Sequence, residues 1–447
     1  MSQMSTLSSQ PYKGTRDYYP EDKRVQNYIF KVWSETVRKF GYEEYGVPLL
    51  EPLEVYIAKS GQEIATEQTY TFTDRGERTV AIRPEMTPSV SRIVAAKRQE
   101  LGYPARLFSI ANFMRYERPQ RGREREFWQL NADIFGVDTV QADAEVIALS
   151  DAVMRAFGAK SAMYTIKIND RRLIDQMMRD YLQLDSVQSQ LMIRLFDRKN
   201  KISPEEFRDQ AIQIFGQEAA QTGLKKISQL LLTTNMNDLP EEMRSSETVK
   251  EVAQLFTLLE GVGVTNAMFD ITLMRGFDYY TGTVFEVFDK HPDNNRSMFG
   301  GGRYDGLVGL FGAEPLSAVG VAPGLTTTEL FLRSHELLPE LKSTTEIYMV
   351  VLGDALPTAQ TLAAELRAEN VNVEVDITGR KLDKQIKAAV KKKIPFLMFV
   401  GDDEVQKQVY GLKDVATATE QKLSLQRIIT AVKDYRRSPS DDDDLVV

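Results

Sequence analysis

Apolar and polar positions follow two different periods in the first third of the chain. Between Asp22 and Phe40 the apolar residues recur at helical spacing, whereas other parts of Tyr12–Phe157 contain short runs in which apolar and polar residues alternate. A period near 3.6 residues indicates an amphipathic helix, and a period of two indicates a half-buried strand. This segment therefore predicts an α+β domain with an antiparallel sheet.

The clearest strand-like runs lie between Arg106 and Gly136, where they flank a charged turn and predict a β-hairpin. On the second run, a period of two places these side chains on one face: Phe127, Gln129, Asn131 and Asp133. The other face is predicted to be core, and its residues are Trp128, Leu130, Ala132 and Ile134. With Arg115 nearby, the polar face either binds a small zwitterionic ligand or is open to water. The alternation is compatible with both interpretations.

The amino-acid composition changes in the middle of the chain. From about residue 172 to 262 it is rich in Leu, Gln, Met, Glu and Lys, and Ser203 followed by Pro204 is typical of a helix N-terminus. Strand and glycine signals return over Met268–Gly324. The middle segment is therefore predicted to be a helical insertion within one catalytic domain, residues 1–335.

A second domain is predicted for residues 344–436. Strand-like and helix-like segments alternate there in the order Ile347–Leu352, Leu356–Asn370, Val371–Val375, Arg380–Lys391 and Ile394–Val400. Such alternation indicates parallel βαβ units. Residues 437–447 contain four consecutive aspartates without an apolar pattern, and we expect a disordered tail.

Two segments concentrate positive charge, although the formal net charge of the chain is -8. The hairpin turn contains Arg118, Arg121, Arg123 and Arg125, and the planar arginine fork is well suited to phosphate. Around the predicted helix Arg380–Lys391, seven basic residues accompany a single acid, Asp383. Each segment is either a solvated surface or a phosphate-binding one. Local patches of this kind keep a nucleic-acid partner possible.

Composition excludes several classes of site. At 447 residues, with 42% hydrophobic and 27% charged residues, the chain is predicted to be globular with two or three domains. It has no cysteine and only two histidines, His291 and His335, both predicted to face solvent, so no resident metal site is predicted. No apolar run reaches the ~20 residues of a membrane-spanning helix, and no signal peptide is visible. We therefore expect a cytoplasmic protein without a membrane partner.

Two further segments carry candidate chemistry. FGGGRYDGLVG, residues 299–309, matches neither a Walker loop nor a dinucleotide fingerprint. Its glycines, Gly300–Gly302, either permit a tight turn or let the backbone approach a ligand closely. In MRGFDYYTGTVFEVF, residues 274–288, Tyr279 and Tyr280 precede an apolar strand. Buried tyrosine hydroxyls need hydrogen-bond partners, so either tyrosine is a candidate contact for a polar substrate.

Taken in order, these segments resemble histidyl-tRNA synthetase, a class II aminoacyl-tRNA synthetase, over nearly the whole chain. KGTRDYYP at residues 13–20 looks like the N-terminal motif of that family, and GYEEYGVPLLEP at residues 41–52 looks like class II motif 1. RPEMT at residues 83–87 and the hairpin, which looks like motif 2, follow at the expected places.

Two other motifs make the resemblance specific for histidine. RGFDYYTGTVFE, residues 275–286, and GGGRYDGLVG, residues 300–309, are similar to the two signatures peculiar to histidine enzymes. The C-terminal βαβ region looks like the anticodon-binding domain of the family. The implied fold is an α+β catalytic domain of the class II synthetase type, with an antiparallel sheet and a helical insertion, followed by a smaller α/β anticodon-binding domain.

The resemblance implies roles for the residues at matching positions. Those expected to bind histidine are Glu85, Thr87, Gln129, Asp133, Tyr279 and Tyr280. Within this set, Asp133 and Tyr280 would read the imidazole, and the amino and carboxylate groups would be bound by Glu85, Thr87 and Gln129. Gln120, at the hairpin tip, would contact the tRNA acceptor stem. Pro48 would lie in the interface of a homodimer.

The implied reaction joins histidine to ATP and then to tRNA-His. Arg115 would hold the α-phosphate of ATP, Arg123 the outer phosphates, and Arg275 would face Arg115 across the reacting phosphorus. The carboxylate of histidine would displace pyrophosphate in line, so that positioning and positive charge, supplied by arginines and Mg²⁺, are enough without a strong base. The ribose of the terminal adenosine of the tRNA would then attack the histidyl-adenylate.

One motif departs from the family pattern. Class II motif 3 normally ends in Gly-Leu-Glu-Arg, whereas this chain has Thr326 and Thr327 where Glu and Arg would stand. The departure leaves open an alternative: a catalytically silent histidine-sensing paralogue resembling the regulatory subunit of ATP phosphoribosyltransferase. Such paralogues generally lack the anticodon-binding domain and the substrate signatures, both of which this chain has. A class II enzyme for another small amino acid is disfavoured by the histidine-type signatures.

Overall fold

The computed structural model describes residues 7–57, 67–199, 202–274, 279–294 and 296–437. Backbone contacts divide the chain into two compact units, Met1–Leu338 and Pro339–Val447. The predicted disordered tail therefore lies, from residue 438 onward, outside the described residues. Within the described ranges, no helix combines the length and the apolar character needed to cross a membrane.

The first unit contains a large and a small sheet. Its strands are β1 (Glu43–Glu44), β2 (Leu50–Pro52), β3 (Thr71–Thr73), β4 (Thr79–Ile82), β5 (Ala105–Met114), β6 (Glu126–Phe135), β7 (Tyr164–Asp170), β8 (Ala267–Phe269), β9 (Thr283–Asp289), β10 (Ser297–Arg303) and β11 (Ala318–Val321). The large sheet has the order β1-β5-β6-β11-β10-β9-β7-β8, and the small one β2-β4-β3. The large sheet is antiparallel at its centre, as predicted, but the pairs at its two edges, β1 with β5 and β7 with β8, are parallel.

The first unit also contains helices, some of which pack on the large sheet. They are α1 (Pro20–Lys39), α2 (Glu54–Ile57), α3 (Thr87–Ala96), α4 (Val140–Ala156), α5 (Arg171–Gln176), α6 (Ser186–Arg198), α7 (Pro204–Phe215), α8 (Ala220–Leu231), α9 (Glu241–Arg244), α10 (Glu247–Gly261) and α11 (Leu325–Ser334). Of these, α1, α4 and α11 pack on the large sheet. The ring of Trp128 on β6 lies 5.3 Å from that of Phe30 on α1, and Leu130, Ala132 and Ile134 are buried. The predicted apolar face of β6 is therefore core.

Helices α5 to α10 occur in the sequence between β7 and β8, which are neighbours in the sheet. They share a hydrophobic core that includes Met192, Phe207, Leu230 and Val252. The predicted N-cap of α7 is present, because the Ser203 hydroxyl accepts a 3.1 Å hydrogen bond from the backbone N–H of Glu206. This segment folds as helices because its apolar residues recur at helical spacing.

The second unit is an α/β domain. Its strands are β12 (Ile347–Val351), β13 (Val373–Val375), β14 (Phe396–Val400), β15 (Tyr410–Asp414) and β16 (Glu420–Leu423), and its helices are α12 (Leu356–Ala368), α13 (Leu382–Lys391), α14 (Asp402–Lys407) and α15 (Leu425–Arg437). In the order β13-β12-β14-β15-β16, the first three strands are parallel, as the alternation predicted. The last two are antiparallel and were not predicted.

Candidate active site

The polar face of β6 is buried rather than open to water. Asn131 and Asp133 are each 4% exposed, which excludes the interpretation of a solvated sheet face at these two positions. Gln129, on the same face, is half-buried, and its Nε2 donates a 3.2 Å hydrogen bond to the carbonyl oxygen of Ala322. A buried row of polar side chains needs partners, either within the protein or in a ligand.

Asp133 is the last of the three polar residues of this row along β6. It accepts a 2.5 Å hydrogen bond from the hydroxyl of Tyr304, and both residues are buried. Burial raises the pKa of Asp133 to about 7, although the bond from Tyr304 acts in the opposite direction. Gly320, on the neighbouring strand β11, provides the space, because a Cβ atom at that position would lie 1.9 Å from Oδ1 of Asp133.

Glu85 and Thr87 reach the same region from the segment that begins helix α3. Glu85 is 3% exposed, and its carboxylate accepts a 2.9 Å hydrogen bond from the hydroxyl of Tyr279. Thr87 also hydrogen-bonds to this tyrosine. Burial, followed by the negative charge of Glu85, raises the pKa of Tyr279 well above its ordinary value, so the phenol stays protonated. The hydroxyl of Tyr279 thus has a partner within the protein, and its contact with a polar substrate stays a prediction.

The glycine run forms part of a strand, so the predicted alternative of a tight turn is wrong. Gly300–Gly302 lie inside β10, between β9 and β11. A Cβ at Gly301 would lie 2.1 Å from the carbonyl oxygen of Gly320, and one at Gly302 would lie 2.9 Å from the ring of Tyr280. The strand therefore lacks side chains where the ring of Tyr280 and a neighbouring strand approach it closely. Burial raises the pKa of Tyr280 above its ordinary value.

The aromatic rings connect these groups into one cluster. The centroid of the Tyr279 ring lies 5.1 Å from that of Tyr280 and 5.9 Å from that of Tyr304. Because Tyr279 contacts Glu85 and Tyr304 contacts Asp133, the structure brings together five of the six predicted histidine-binding residues through contacts. The sixth, Gln129, shares the face of β6 that carries Asp133.

Arg115 follows the end of β5 beside this cluster. Its Nε donates a 2.9 Å hydrogen bond to the carbonyl oxygen of Pro84, the residue before Glu85. Its guanidinium carbon lies 5.1 Å from the centre of the Phe127 ring, on the polar face of β6. Two contacts, with the Pro84 carbonyl and with the Phe127 ring, thus hold the guanidinium in place.

The hairpin loop presents further arginines. Its tip is a turn in which Gln120 and Arg123 exchange backbone hydrogen bonds of 3.0 and 2.9 Å, and both residues are exposed. Arg123 is ion-paired with Glu117, at 2.9 Å. Arg275, the third predicted ATP-binding arginine, lies outside the described residues.

The altered motif 3 is tied to the hairpin loop and to the sheet. The Thr326 hydroxyl donates a 2.9 Å hydrogen bond to the carboxylate of Glu124. The Thr327 hydroxyl donates to the carbonyl oxygen of Met298 at 2.9 Å. A Cβ at Gly122, in the loop tip, would lie 3.9 Å from the methyl group of Thr327. The loop is therefore hydrogen-bonded to Thr326 and lies close to Thr327, the residue at the arginine position of the family pattern.

The expectation that both histidines face solvent is wrong for His335, whereas the side chain of His291, in a bend after β9, is 29% exposed. The Nε2 atom of His335 lies 2.7 Å from a carboxylate oxygen of the buried Asp289, and the His335 side chain is 12% exposed. The backbone N–H of His291 donates to the same carboxylate at 2.8 Å. The two imidazole rings are 5.3 Å apart. Asp289 is close to His291 in the sequence but 46 residues from His335, so no local pattern indicated the contact with His335.

The resemblance implies a magnesium ion, which requires oxygen ligands from the protein, from ATP or from water. Mg²⁺ is usually held by one or two carboxylates together with substrate phosphates and water. Over the described ranges, no three His, Asp or Glu side chains are grouped for metal binding. The hairpin loop offers the carboxylates of Glu117 and Glu124, which are paired with Arg123 at 2.9 Å and Arg16 at 3.6 Å. Because both carboxylates are already paired with arginines, an ion that arrives with ATP would be held mainly by the phosphates.

Comparison with models of known protein families identifies the family to which the chain belongs. Residues 14–327 match the family model described as histidyl-tRNA synthetase, and residues 346–435 match the one described as anticodon binding domain. The chain belongs to the histidyl-tRNA synthetase family. The chain is 40% identical over 432 residues to the histidine-tRNA ligase of Leptospira biflexa, covering 96% of this chain and 98% of that protein. Family membership confirms the resemblance inferred from the motifs.

Solved structures of the family share the fold. The histidyl-tRNA synthetase of Nostoc sp. PCC 7120 superposes with a TM-score of 0.79 at 22% identity, covering 96% of this chain and all of that chain (100%). A protein of Bacillus halodurans, described as ATP phosphoribosyltransferase regulatory subunit/histidyl-tRNA synthetase, gives 0.72 at 23% identity, covering 88% and 99%. At these identities the likeness concerns the fold alone, and it confirms the predicted fold class.

Sequence reasoning missed two residues of the site. Tyr304 lies within GGGRYDGLVG, and Gly320 lies six residues before the Thr326 of the altered motif 3, but neither was predicted to have a role. The available signal was a tyrosine between two charged residues, Arg303 and Asp305, directly after three glycines. Its partner, Asp133, is 171 residues away along the chain, so only the sheet topology connects them.

Proposed function

We propose that this chain is a histidine-tRNA ligase, which activates histidine with ATP to histidyl-adenylate and transfers it to the 3′ end of tRNA-His. One observation carries the proposal: the buried carboxylates of Asp133 and Glu85 lie on one aromatic cluster, with the fixed guanidinium of Arg115 beside it. The membership of the chain in the histidyl-tRNA synthetase family supports it.

The two carboxylates would bind opposite ends of histidine. Glu85 would accept the amino group, with Thr87 beside it, and Gln129 would bind the carboxylate end. Asp133 would accept an N–H of the imidazole, and Tyr280 would contact the ring. Because buried polar groups that lose a partner are costly, a site of this kind rejects amino acids that lack a matching N–H.

Activation would follow from positioning. Arg115 would hold the α-phosphate, Arg123 would bind the outer phosphates, and Arg275 would face Arg115 across the reacting phosphorus. A carboxylate oxygen of histidine would form the new bond to the α-phosphorus while the bond to pyrophosphate breaks. Mg²⁺ carried by ATP would neutralise phosphate charge. With cations fixed before the reaction, little reorganisation accompanies the transition state.

Transfer would involve both units of the chain. The 3′-terminal ribose would attack the carbonyl carbon of the adenylate and release AMP. Gln120, exposed at the loop tip, would contact the acceptor stem, and the second unit would bind the anticodon region. We further propose a cytoplasmic homodimer whose interface includes Pro48, an exposed residue in the segment between β1 and β2.

The silent histidine-sensing paralogue is not favoured. This chain keeps Arg115 in a fixed position and has a complete second unit that matches an anticodon-binding domain. Histidine sensing alone would need neither feature. The altered motif 3 remains the reason to test activity directly.

Histidine-dependent exchange between ATP and pyrophosphate tests the proposal. We expect exchange with the purified full chain, a loss of at least about 100-fold in Arg115→Ala and in Arg275→Ala, and near wild-type exchange in the control Arg118→Ala, an exposed arginine of the same loop. A folded wild-type protein that binds histidine but shows no exchange would favour the silent paralogue instead.

A further inference from the structure

We propose that Asn131 is a further specificity-determining residue, whose side-chain amide donates a hydrogen bond to the imidazole nitrogen that does not face Asp133. This inference rests on the proposed function and deepens it. Neither the family motifs nor the resemblance assigned a role to this residue.

The starting observation is an unmatched buried donor. Asn131 is 4% exposed, and its Nδ2 atom is buried without a hydrogen-bond partner among the described residues. The cross-strand neighbour of Asn131 is Ser109 on β5, which is 5% exposed. A buried donor without an acceptor is destabilising, because it has lost its hydrogen bonds to water. Such a group is therefore expected to find its acceptor in a ligand or an ordered water.

The position of Asn131 along β6 indicates which part of the ligand it meets. Gln129, Asn131 and Asp133 project from one face of the strand, and alternate residues of a strand are about 6.6 Å apart. The proposed order of contacts is the carboxylate end of histidine at Gln129 and the far imidazole nitrogen at Asp133. Asn131 stands between them, opposite the imidazole nitrogen nearer to the backbone, Nδ1.

The chemistry of a neutral imidazole matches this pair of residues. One ring nitrogen carries a hydrogen and donates, and the other accepts. Asp133 as a carboxylate accepts the N–H of Nε2, while Asn131 Nδ2 donates to the lone pair of Nδ1. A competing amino acid whose side chain has no acceptor opposite Asn131 would leave the Nδ2 donor without a partner. Asn131 therefore adds to the discrimination between amino acids that Asp133 provides.

Binding of two ligands to the full chain, measured by calorimetry without ATP, tests the assignment. Histidinol retains the amino group and the imidazole of histidine but lacks the carboxylate. In Asn131→Leu, which keeps most of the side-chain volume and loses the donor, we expect both ligands to bind about 10-fold more weakly, as for a lost hydrogen bond of about 1.4 kcal/mol. Unchanged affinities, or a loss for histidine but not for histidinol, would overturn the proposal.

A second variant covers the case in which the leucine variant fails to fold. In Asn131→Ala, we expect 3-(pyrrol-3-yl)alanine, which keeps the N–H that faces Asp133 but has a C–H in place of Nδ1, to compete with histidine about 10-fold better than it does in the wild type. A merely structural role would weaken both ligands alike and leave their ratio unchanged, which would also contradict the proposal. Exchange activity of the wild type tests the proposed function separately, because its absence would contradict that function. If the wild type shows normal exchange and the Asn131 variants bind both ligands as the wild type does, only the inference about Asn131 is contradicted.

Discussion

The hydroxyl of Tyr304 donates a 2.5 Å hydrogen bond to the carboxylate of Asp133, although the two residues lie 171 positions apart in the chain. Both side chains are buried. The bond stabilises the carboxylate form of Asp133 against the cost of burial, which otherwise favours the protonated acid. Burial and a tyrosine that directly follows β10 therefore act in opposite directions on the pKa of the proposed imidazole contact, and burial has the larger effect.

Replacing this tyrosine should weaken histidine binding. In Tyr304→Phe, the lost hydrogen bond should raise the pKa of Asp133 above about 7, so less of the carboxylate form is present at neutral pH. We expect the KM for histidine in pyrophosphate exchange to rise about 5- to 10-fold at pH 7, with little change in the KM for ATP. An equal rise in both KM values would indicate general damage to the site instead.

The pKa of Asp133 also predicts a pH dependence with a definite sign. An acid whose folded-state pKa is raised to about 7 favours the folded state at low pH, and this contribution is lost as pH rises from the unfolded value near 4 through 7. Histidine binding should show the opposite trend and weaken below about pH 7, because the neutral acid is a weaker acceptor for the imidazole N–H than the carboxylate is. Denaturant unfolding and calorimetry between pH 5 and 8.5 measure the two trends.

Asp133→Asn supplies the control for both measurements. It removes the titrating group, so the variant should lose less stability than the wild type between pH 4 and 7. The remaining pH dependence of histidine binding should then reflect the imidazole of the ligand itself. Identical pH profiles for the two proteins would contradict the assignment to Asp133.

Gly320 should tolerate no side chain. A Cβ there would lie 1.9 Å from Oδ1 of Asp133, so Gly320→Ala must displace the carboxylate from the position in which Tyr304 holds it. We expect histidine affinity to fall at least about 10-fold, measured by calorimetry. In the matched control Gly46→Ala, where the new Cβ would meet nothing within 4 Å, affinity should stay within about twofold of the wild type.

Arg303 should be a major determinant of stability. Its side chain is 8% exposed and is ion-paired at 2.5 Å with Asp143, which is 1% exposed. Arg303 also donates to the backbone carbonyl oxygens of Val137 and Thr139. Removing one partner leaves an unpaired buried charge, so Arg303→Ala and Asp143→Ala should each lower the free energy of unfolding by about 3–5 kcal/mol. The double variant should lose clearly less than the sum, and additive losses would rule out coupling.

The lysines of α13 should contribute to tRNA binding without affecting activation. Lys384 and Lys387 are exposed on this helix. The double variant Lys384→Ala/Lys387→Ala should raise the KM for tRNA several-fold, lower its dependence on salt, and leave pyrophosphate exchange unchanged. Lys407→Ala, an exposed lysine of α14, is the matched control. Equal effects of the control and the double variant would indicate that α13 is only a solvated surface.

Local patterns determined a large part of the fold. The faces of β6, the N-cap at Ser203 and the parallel arrangement of β12, β13 and β14 could all be predicted, because each depends on residues close together in the sequence. The family motifs extended this to a set of candidate site residues. Arg275, which the motifs placed in the site, lies outside the described residues and stays a prediction.

Only the tertiary structure decided how the site is connected. The hydrogen bond from Tyr279 to Glu85 spans 194 residues and that from Tyr304 to Asp133 spans 171, so no periodicity could indicate either one. The glycine run was compatible with a turn until its place between two strands was known. The sequence by itself determined which residues share a strand face; which distant side chains pack against that face is a property of the sheet topology and of the space that Gly302 and Gly320 leave open.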